Sequence, residues 1–179
     1  MSGASHTIGA EKSGPFQSLA ELRAACLDLP EGDSAAADAV AARQAELTKP
    51  PGSLGRLENL SVQVAGIMGQ ARPKIQHKVV TVMAGDHGVV AEGVSAVPQE
   101  VTPQMVLNFL YGGAAINVLS KHVGARVVIV DMGVAAAMDA HPQLVSRRIA
   151  AGTGNIAKGP AMKRAQAEES ILSGVEIVE

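Results

Sequence analysis

Two acids in this sequence stand where a long apolar run meets glycine. The run from Lys78 to Ala84 leads into Gly85, Asp86, His87 and Gly88, and the run from Ala125 to Val130 leads into Asp131, Met132 and Gly133. Runs of this length and character are what a parallel strand buried on both faces requires. Ligands of open parallel sheets bind outside the carboxyl ends of the strands. Asp86 and Asp131 are therefore expected at one rim of a sheet. A carboxylate there can accept ribose hydroxyl hydrogen bonds, or accept backbone N–H groups and fasten a neighbouring loop. Spacing leaves both roles open. His87 beside Asp86 is either a proton-transfer group or a histidine satisfying loop polar groups.

Two further segments carry candidate chemistry. The loop Gly93–Gln99 is apolar with isolated polar groups, which suits one wall of a pocket for a flat aromatic ligand. A loop packed on the sheet edge would have the same composition. Gly152, Thr153, Gly154 and Asn155 offer backbone N–H groups ahead of a helix start at Pro160, an arrangement that can hold phosphate. The pattern is neither GxGxxG nor GxxxxGK[ST], and an ordinary glycine-rich connection accounts for it more simply. The five histidines show no HExxH or i, i+4 pairing, there is no CxxC, and no GxSxG elbow exists, so no metal site or serine nucleophile is expected.

The elements that would position these residues follow from periodicity and punctuation. Ser18 and Glu21 form a capping box ahead of an apolar stripe of Leu19, Leu22, Cys26 and Leu29. Asp33 or Ser34 starts a second, Ala-rich helix running to about Leu47. Ser53 is expected to cap a third, with Leu57, Leu60, Val64 and Met68 inward, ended by Arg72 and Pro73. Between the two apolar runs, Thr102 and Pro103 read as the cap and first turn of a helix carrying Met105, Phe109, Ile116, Leu119 and Val123, interrupted near Gly112 and Gly113. Strand, helix, strand in this order predicts a right-handed crossover and a parallel sheet. A short strand is expected somewhere within 144–149, and a last helix from Gly159-Pro160, with Met162, Ala165, Leu172 and Val175 on one face.

Composition bounds the class. The chain has 179 residues and is 47% apolar, with no Trp, one Tyr (Tyr111) and two Phe (Phe16, Phe109). Val-rich runs and abundant glycine favour α/β over an all-β sandwich. A net charge of −2 argues against nucleic-acid binding through a basic surface. The pairs Arg147-Arg148 and Lys163-Arg164 read as solvated faces. Cys26, the single cysteine, excludes an internal disulfide, fits a reducing compartment and reads as buried filler. No apolar run reaches membrane-spanning length, and the first 15 residues read as a loose arm rather than a signal peptide. Cytoplasm is the default location.

Several segments taken jointly resemble one family. Residues 48–58, Ala84–Val94, Pro98–Thr102 and Gly152–Met162 are similar to nicotinate-nucleotide–dimethylbenzimidazole phosphoribosyltransferases, in order and without large gaps over roughly 35–179. The resemblance implies transfer of the phosphoribosyl group of nicotinate mononucleotide to 5,6-dimethylbenzimidazole. The products are nicotinate and α-ribazole 5′-phosphate, the lower-ligand nucleotide of cobalamin. It implies no cofactor or metal, and a homodimer. It places the benzimidazole near Val97, Pro98 and Met105, with Asp86 and His87 at the rim. Because Val97 and Met105 are apolar, packing of the ring should dominate. The family's general-base glutamate belongs to a C-terminal segment outside these residues, so no catalytic residue is expected in this chain. A phosphate loop normally follows the point where this chain stops.

The expected fold class is α/β, a parallel Rossmann-like sheet flanked by helices, with part of a smaller helical domain from the N-terminal region. The expected divisions are an arm over 1–17, a helical segment over 18–72 and the first part of an α/β nucleotide-substrate domain over 73–179. Candidate substrate-binding residues are Asp86, His87, Val97, Pro98, Met105, Asp131, Gly152, Gly154 and Asn155. The chain ends within a helical pattern without a cap, and two strands alone would leave both sheet edges unpaired, so the natural protein is expected to continue. A small domain that oligomerises through those edges is the alternative. For function, the alternatives are a NAD-type Rossmann oxidoreductase, which lacks its GxGxxG here, and a non-catalytic α/β binding module.

Overall fold

The computed structural model describes residues 14–178. The expected loose arm lies, up to residue 13, outside the described residues. The elements are α1 (Leu19–Leu27), α2 (Ser34–Glu46), α3 (Arg56–Met68), β1 (Lys78–Gly85), a 3₁₀ turn (Gly88–Glu92), α4 (Val101–Leu110), α5 (Ala115–His122), β2 (Ala125–Gly133), β3 (Leu144–Ser146) and α6 (Arg164–Val178). They form two compact units, one of residues 14–25 and 78–178 and the other of Cys26–His77. The boundary thus falls at His77/Lys78, where β1 begins, and the first part of α1 groups with the α/β unit rather than the helical one. No helix of the described residues is long and apolar enough to cross a membrane.

The helical unit is the α2–α3 pair. Asp33 caps α2 by accepting from Ala36 N–H at 3.0 Å, and its own N–H donates to Gly66 O at 2.9 Å. The buried seam is made of small residues: Ala36 and Val40 face Ala65 and Gly66. This corrects the expected face, since Leu57 is 63% exposed and Leu60 43%. A Cβ on Gly66 would lie 3.5 Å from Asp33 O and 3.6 Å from Ala37 Cβ, ordinary contact distances that place this face of α3 against the start of α2. Ser53 does not cap α3. Its N–H closes a turn onto Pro50 O, and α3 starts after Gly55 with no side-chain cap. The helix ends at Gly69 in the left-handed conformation, before Arg72-Pro73.

In the α/β unit the two apolar runs form parallel neighbours. β1 pairs with β2 from Lys78↔Ala125 to Ala84↔Asp131, and the register then shifts to Gly85↔Gly133. β3 adds parallel to β2, from Ile129↔Leu144 to Asp131↔Ser146, giving the order β1-β2-β3. β2 is central: its Val130 is fully buried on one face, and on the other Ile129 forms the core with Val106 of α4 and Val134 just beyond the strand. Val82, Ala84, Phe109, Leu110 and Leu144 pack around them. The core's buried members are aliphatic, with Phe109 the one aromatic side chain packed against them among the described residues.

Ser18 Oγ accepts from Glu21 N–H at 3.2 Å as expected, while the Glu21 carboxylate reaches one residue further back, to Gln17 N–H at 2.8 Å. Cys26 is exposed rather than buried, because α1 buries none of its residues. The last helix starts at Arg164 rather than near Pro160, with Lys163 N–H donating to Gln166 Oε1 at 2.9 Å. Leu172 and Ser173 are its buried positions. Met162 precedes it and is partly exposed.

Candidate functional site

The carboxyl ends of β1 and β2 lie side by side, and both acids there are buried: Asp86 is 5% exposed and Asp131 3%. Both oxygens of Asp86 and Oδ1 of Asp131 accept hydrogen bonds within the protein. Asp86 Oδ1 accepts from the Thr102 hydroxyl at 2.6 Å, and Oδ2 accepts from Ala135 N–H at 2.7 Å. Asp131 Oδ1 accepts from Gly133 N–H at 2.9 Å and Val134 N–H at 2.8 Å. Of the two roles that spacing left open, the geometry gives each carboxylate the fastening of loops. Thr102 sits one residue inside α4, so its hydroxyl goes to Asp86 rather than to a helix cap. The carbonyl of Ala135 is held by Arg148 Nη2, which donates to it at 3.0 Å. Arg147 pairs with Glu176 at 3.0 Å. Arg148 thus braces a loop, while Arg147, still partly exposed, ties the end of β3 to α6.

The loop after β1 interlocks with the segment around Gly152. Thr153 N–H donates to Asp86 O at 2.9 Å, and Gly88 N–H donates to Thr153 O at 3.1 Å, so His87 and Thr153 form a parallel bridge. The approach needs glycine on one side: a Cβ on Gly88 would sit 2.7 Å from both Gly154 C and Thr153 O. Gly152 has φ +79°, and a side chain there would crowd Asp86 O at 3.2 Å. Gly154 N–H donates to Ala161 O at 2.7 Å. The amides of Thr153 and Gly154 are therefore used in holding the loop. Asn155 is occupied at both ends, donating from Nδ2 to Glu92 Oε1 at 2.6 Å and accepting at Oδ1 from Ala157 N–H at 3.0 Å.

Two cavities flank this interlock and share Gly85, Asp86 and His87. The first, of about 280 Å³, is walled by Val89, Val90, Val94, Val97 and Pro98, with Ser95, Gln99 and Thr102 as its further polar residues. The second, of about 270 Å³, lies between His87, Met132, Ile149, Gly152–Gly154, Met162 and α6 residues Gln166 and Ser170. The first has the makeup of a site for a flat ring: mostly aliphatic walls with a few polar groups. The structure thus brings together Asp86, His87, Val97 and Pro98 around one cavity. Gly152 and Gly154 border the second. Asp131 and Asn155 line neither, and nor does Met105, which is 37% exposed on α4. His87 is exposed and adjoins both cavities, with its backbone extended. Among the described residues, no group of three or more His, Cys, Asp or Glu side chains stands together to hold a metal ion.

Sequence reasoning missed Thr102, Glu92 and the Ala135 amide as site-builders. Thr102 had a signal that pointed elsewhere, since threonine before proline is an ordinary helix start. Ala135 acts through its backbone, which no side-chain pattern marks.

Comparison with known proteins agrees with this architecture. A family model described as phosphoribosyltransferase matches residues 29–179. The nicotinate-nucleotide–dimethylbenzimidazole phosphoribosyltransferase of Roseiflexus castenholzii is 59% identical over 143 residues, covering 80% of this chain and 40% of that protein. The protein of the same name from Desulforudis audaxviator is 53% identical over 147 residues, covering 82% of this chain and 42% of that protein. A crystal structure of CobT from Thermus thermophilus superposes with a TM-score of 0.72 at 47% identity, covering 78% of this chain and 42% of that one. The chain thus spans about two-fifths of the length of these relatives.

Proposed function

This chain belongs to the phosphoribosyltransferase family whose model matches residues 29–179, and from that premise we propose that it carries the base-recognition part of an enzyme that moves a phosphoribosyl group. The donor is nicotinate mononucleotide and the acceptor is 5,6-dimethylbenzimidazole. The products are nicotinate and α-ribazole 5′-phosphate, the nucleotide that becomes the lower ligand of cobalamin. Relatives bearing that activity in their names support the choice of substrates.

The observation that carries the reading is the first cavity. Its volume of about 280 Å³ and its walls of Val89, Val90, Val94, Val97 and Pro98 fit a fused aromatic ring held mainly by packing. It opens at the carboxyl end of β1, beside the loops that would meet the second substrate. His87 stands between the two cavities, where acceptor and donor would approach one another. In the reaction, one ring nitrogen attacks the anomeric carbon, the bond to nicotinate breaks, and the ring N–H loses its proton.

On this reading the described residues supply packing for the ring rather than a base for that proton. Among the described residues Asp86 is the sole acid lining either cavity, and both of its oxygens already accept short hydrogen bonds. A base must reach the proton it takes, at about 2.6–3.2 Å. The reading therefore assigns Asp86 to holding the site and assigns the general base to a glutamate outside these residues. A homodimer and a cytoplasmic location accompany the same reading; sedimentation at graded concentration tests the first and cell fractionation the second.

Titration of the purified chain with 5,6-dimethylbenzimidazole, nicotinate mononucleotide and NAD tests the proposal. Binding of the benzimidazole in preference to NAD supports it. Preferential binding of NAD would return the chain to the oxidoreductase alternative.

A further inference from the structure

We propose that Glu92 is a positioning residue for the apolar wall of the first cavity, acting through the side-chain amide of Asn155. The inference rests on the base-binding reading of that cavity.

The wall is the strap 94–97, and it is attached to the rest of the unit at its two ends. The hydrogen bonds within it are internal: Ser95 Oγ donates to Val97 O at 2.8 Å, and Val97 N–H donates back to Ser95 Oγ at 3.3 Å. At its C-terminal end, Val101 N–H closes onto Pro98 O, and α4 follows, with Thr102 tied to Asp86. At its N-terminal end stands the 3₁₀ turn Gly88–Glu92, closed by Gly93 at φ +72° with its N–H on Val90 O. Glu92 is the last residue of that turn. Its Oε1 accepts from Asn155 Nδ2 at 2.6 Å and lies 3.1 Å from Lys158 Nζ. The strap's near end is thereby fixed to the 152–158 segment, which the Gly88–Thr153 interlock already ties to β1.

The two arms of this clasp are unequal. Lys158 is 72% exposed, and an ion pair so open to water contributes little. Asn155 is held from its other end by Ala157 N–H, so its amide is presented to Glu92 in one orientation. A charge-assisted hydrogen bond to a pre-oriented donor is the stronger constraint. Val94 and Val97, which Glu92 holds in place through Gly93, are 67% and 52% exposed in the open cavity. They are the apolar surface a bound ring would cover. Loss of the clasp frees the strap's near end and adds to the ordering that binding must impose.

The test uses the full 179-residue chain and its variants Glu92→Ala, Glu92→Gln, Asn155→Ala and Lys158→Met. It reads amide hydrogen exchange at Val90 and Gly93 without ligand, and affinity for 5,6-dimethylbenzimidazole by calorimetry. Glu92→Ala and Asn155→Ala are each expected to speed exchange at both amides and weaken binding by about tenfold. Their double variant should be no worse than either alone. Glu92→Gln keeps an acceptor for Asn155 and should restore both readouts, and Lys158→Met should stay within about twofold of the wild type. Unchanged exchange in Glu92→Ala overturns the inference, as does a Lys158→Met effect equal to that of Glu92→Ala. If the wild-type chain binds no benzimidazole, the reading of the cavity fails, while the exchange comparison still decides whether Glu92 holds the strap.

Discussion

Thr102 donates its hydroxyl to Asp86 Oδ1 at 2.6 Å, joining the first turn of α4 to the residue that follows β1. Asp86 Oδ2 simultaneously holds Ala135 N–H, beyond the end of β2. One buried carboxylate therefore sets the relative positions of three segments at the cavity rim. Thr102→Val keeps the shape of the side chain and removes the donor. The buried oxygen then lacks a partner, which costs about 1–3 kcal/mol. Chemical denaturation should show that loss, and Thr102→Ser should recover most of it. A Thr102→Val protein as stable as the wild type would mean that the hydroxyl contributes nothing to holding Asp86.

The interlock between Gly88 and Thr153 leaves no room for a methyl group. A Cβ at Gly88 would meet backbone at 2.7 Å, and backbone cannot swing aside as a flexible side chain can. Gly88→Ala should destabilise the chain by about 1–3 kcal/mol and speed hydrogen exchange at the Thr153 amide. Stability within about 0.5 kcal/mol of the wild type would show that the two loops separate freely.

Glu58 gives a pH dependence confined to the helical unit. Lys49 Nζ lies 2.7 Å from Glu58 Oε1, and Leu54 N–H donates to the same oxygen at 3.2 Å. The Lys49 hydrogen bond first, then the Leu54 amide, holds this carboxyl below its usual value of 4.5. A lowered carboxyl pKa contributes stability that is present above the usual glutamate value. That contribution disappears as the pH falls through the lowered, folded-state value. Acid titration of stability should therefore be shallower in Lys49→Met than in the wild type across that window. Identical acid profiles would remove the pair from the stability of this unit.

Turnover is a separate expectation. With both Asp86 oxygens engaged, the described residues offer no free carboxylate lining either cavity. Formation of α-ribazole 5′-phosphate by this chain should run slower than in a longer family member by about 10²–10⁴, the usual contribution of a general base. A comparable rate would put the base within the chain.

The sheet was the most legible part of the fold. Val79–Met83 and Val127–Val130 announce buried parallel strands because a continuous apolar run has few other uses at that length, and β1 and β2 pair in parallel. β3 was visible only as a short stretch, and it pairs over three residues. Leucines dominate a periodicity argument for α3, while the residues that helix buries are Ala65 and Gly66, packed against the start of α2. At the site, strand ends and the apolar loop 93–99 pointed to the first cavity. The partners of Asp86 stayed hidden, since a hydroxyl 16 residues away and a backbone amide 49 residues away leave no pattern in the chain.

The cavity walled by Val94, Val97 and Pro98 is proposed to receive the benzimidazole. Calorimetric titration of 5,6-dimethylbenzimidazole into the wild-type chain, Val97→Asp and Met105→Asp tests it most directly. Val97 lines the cavity and Met105 does not. One site per chain is expected in the wild type. At least about tenfold weaker binding is expected in Val97→Asp, where an unpaired charge would be pressed against the ring, and a smaller change in Met105→Asp. Absence of wild-type binding, or equal affinity in Val97→Asp with the fold intact, would contradict it.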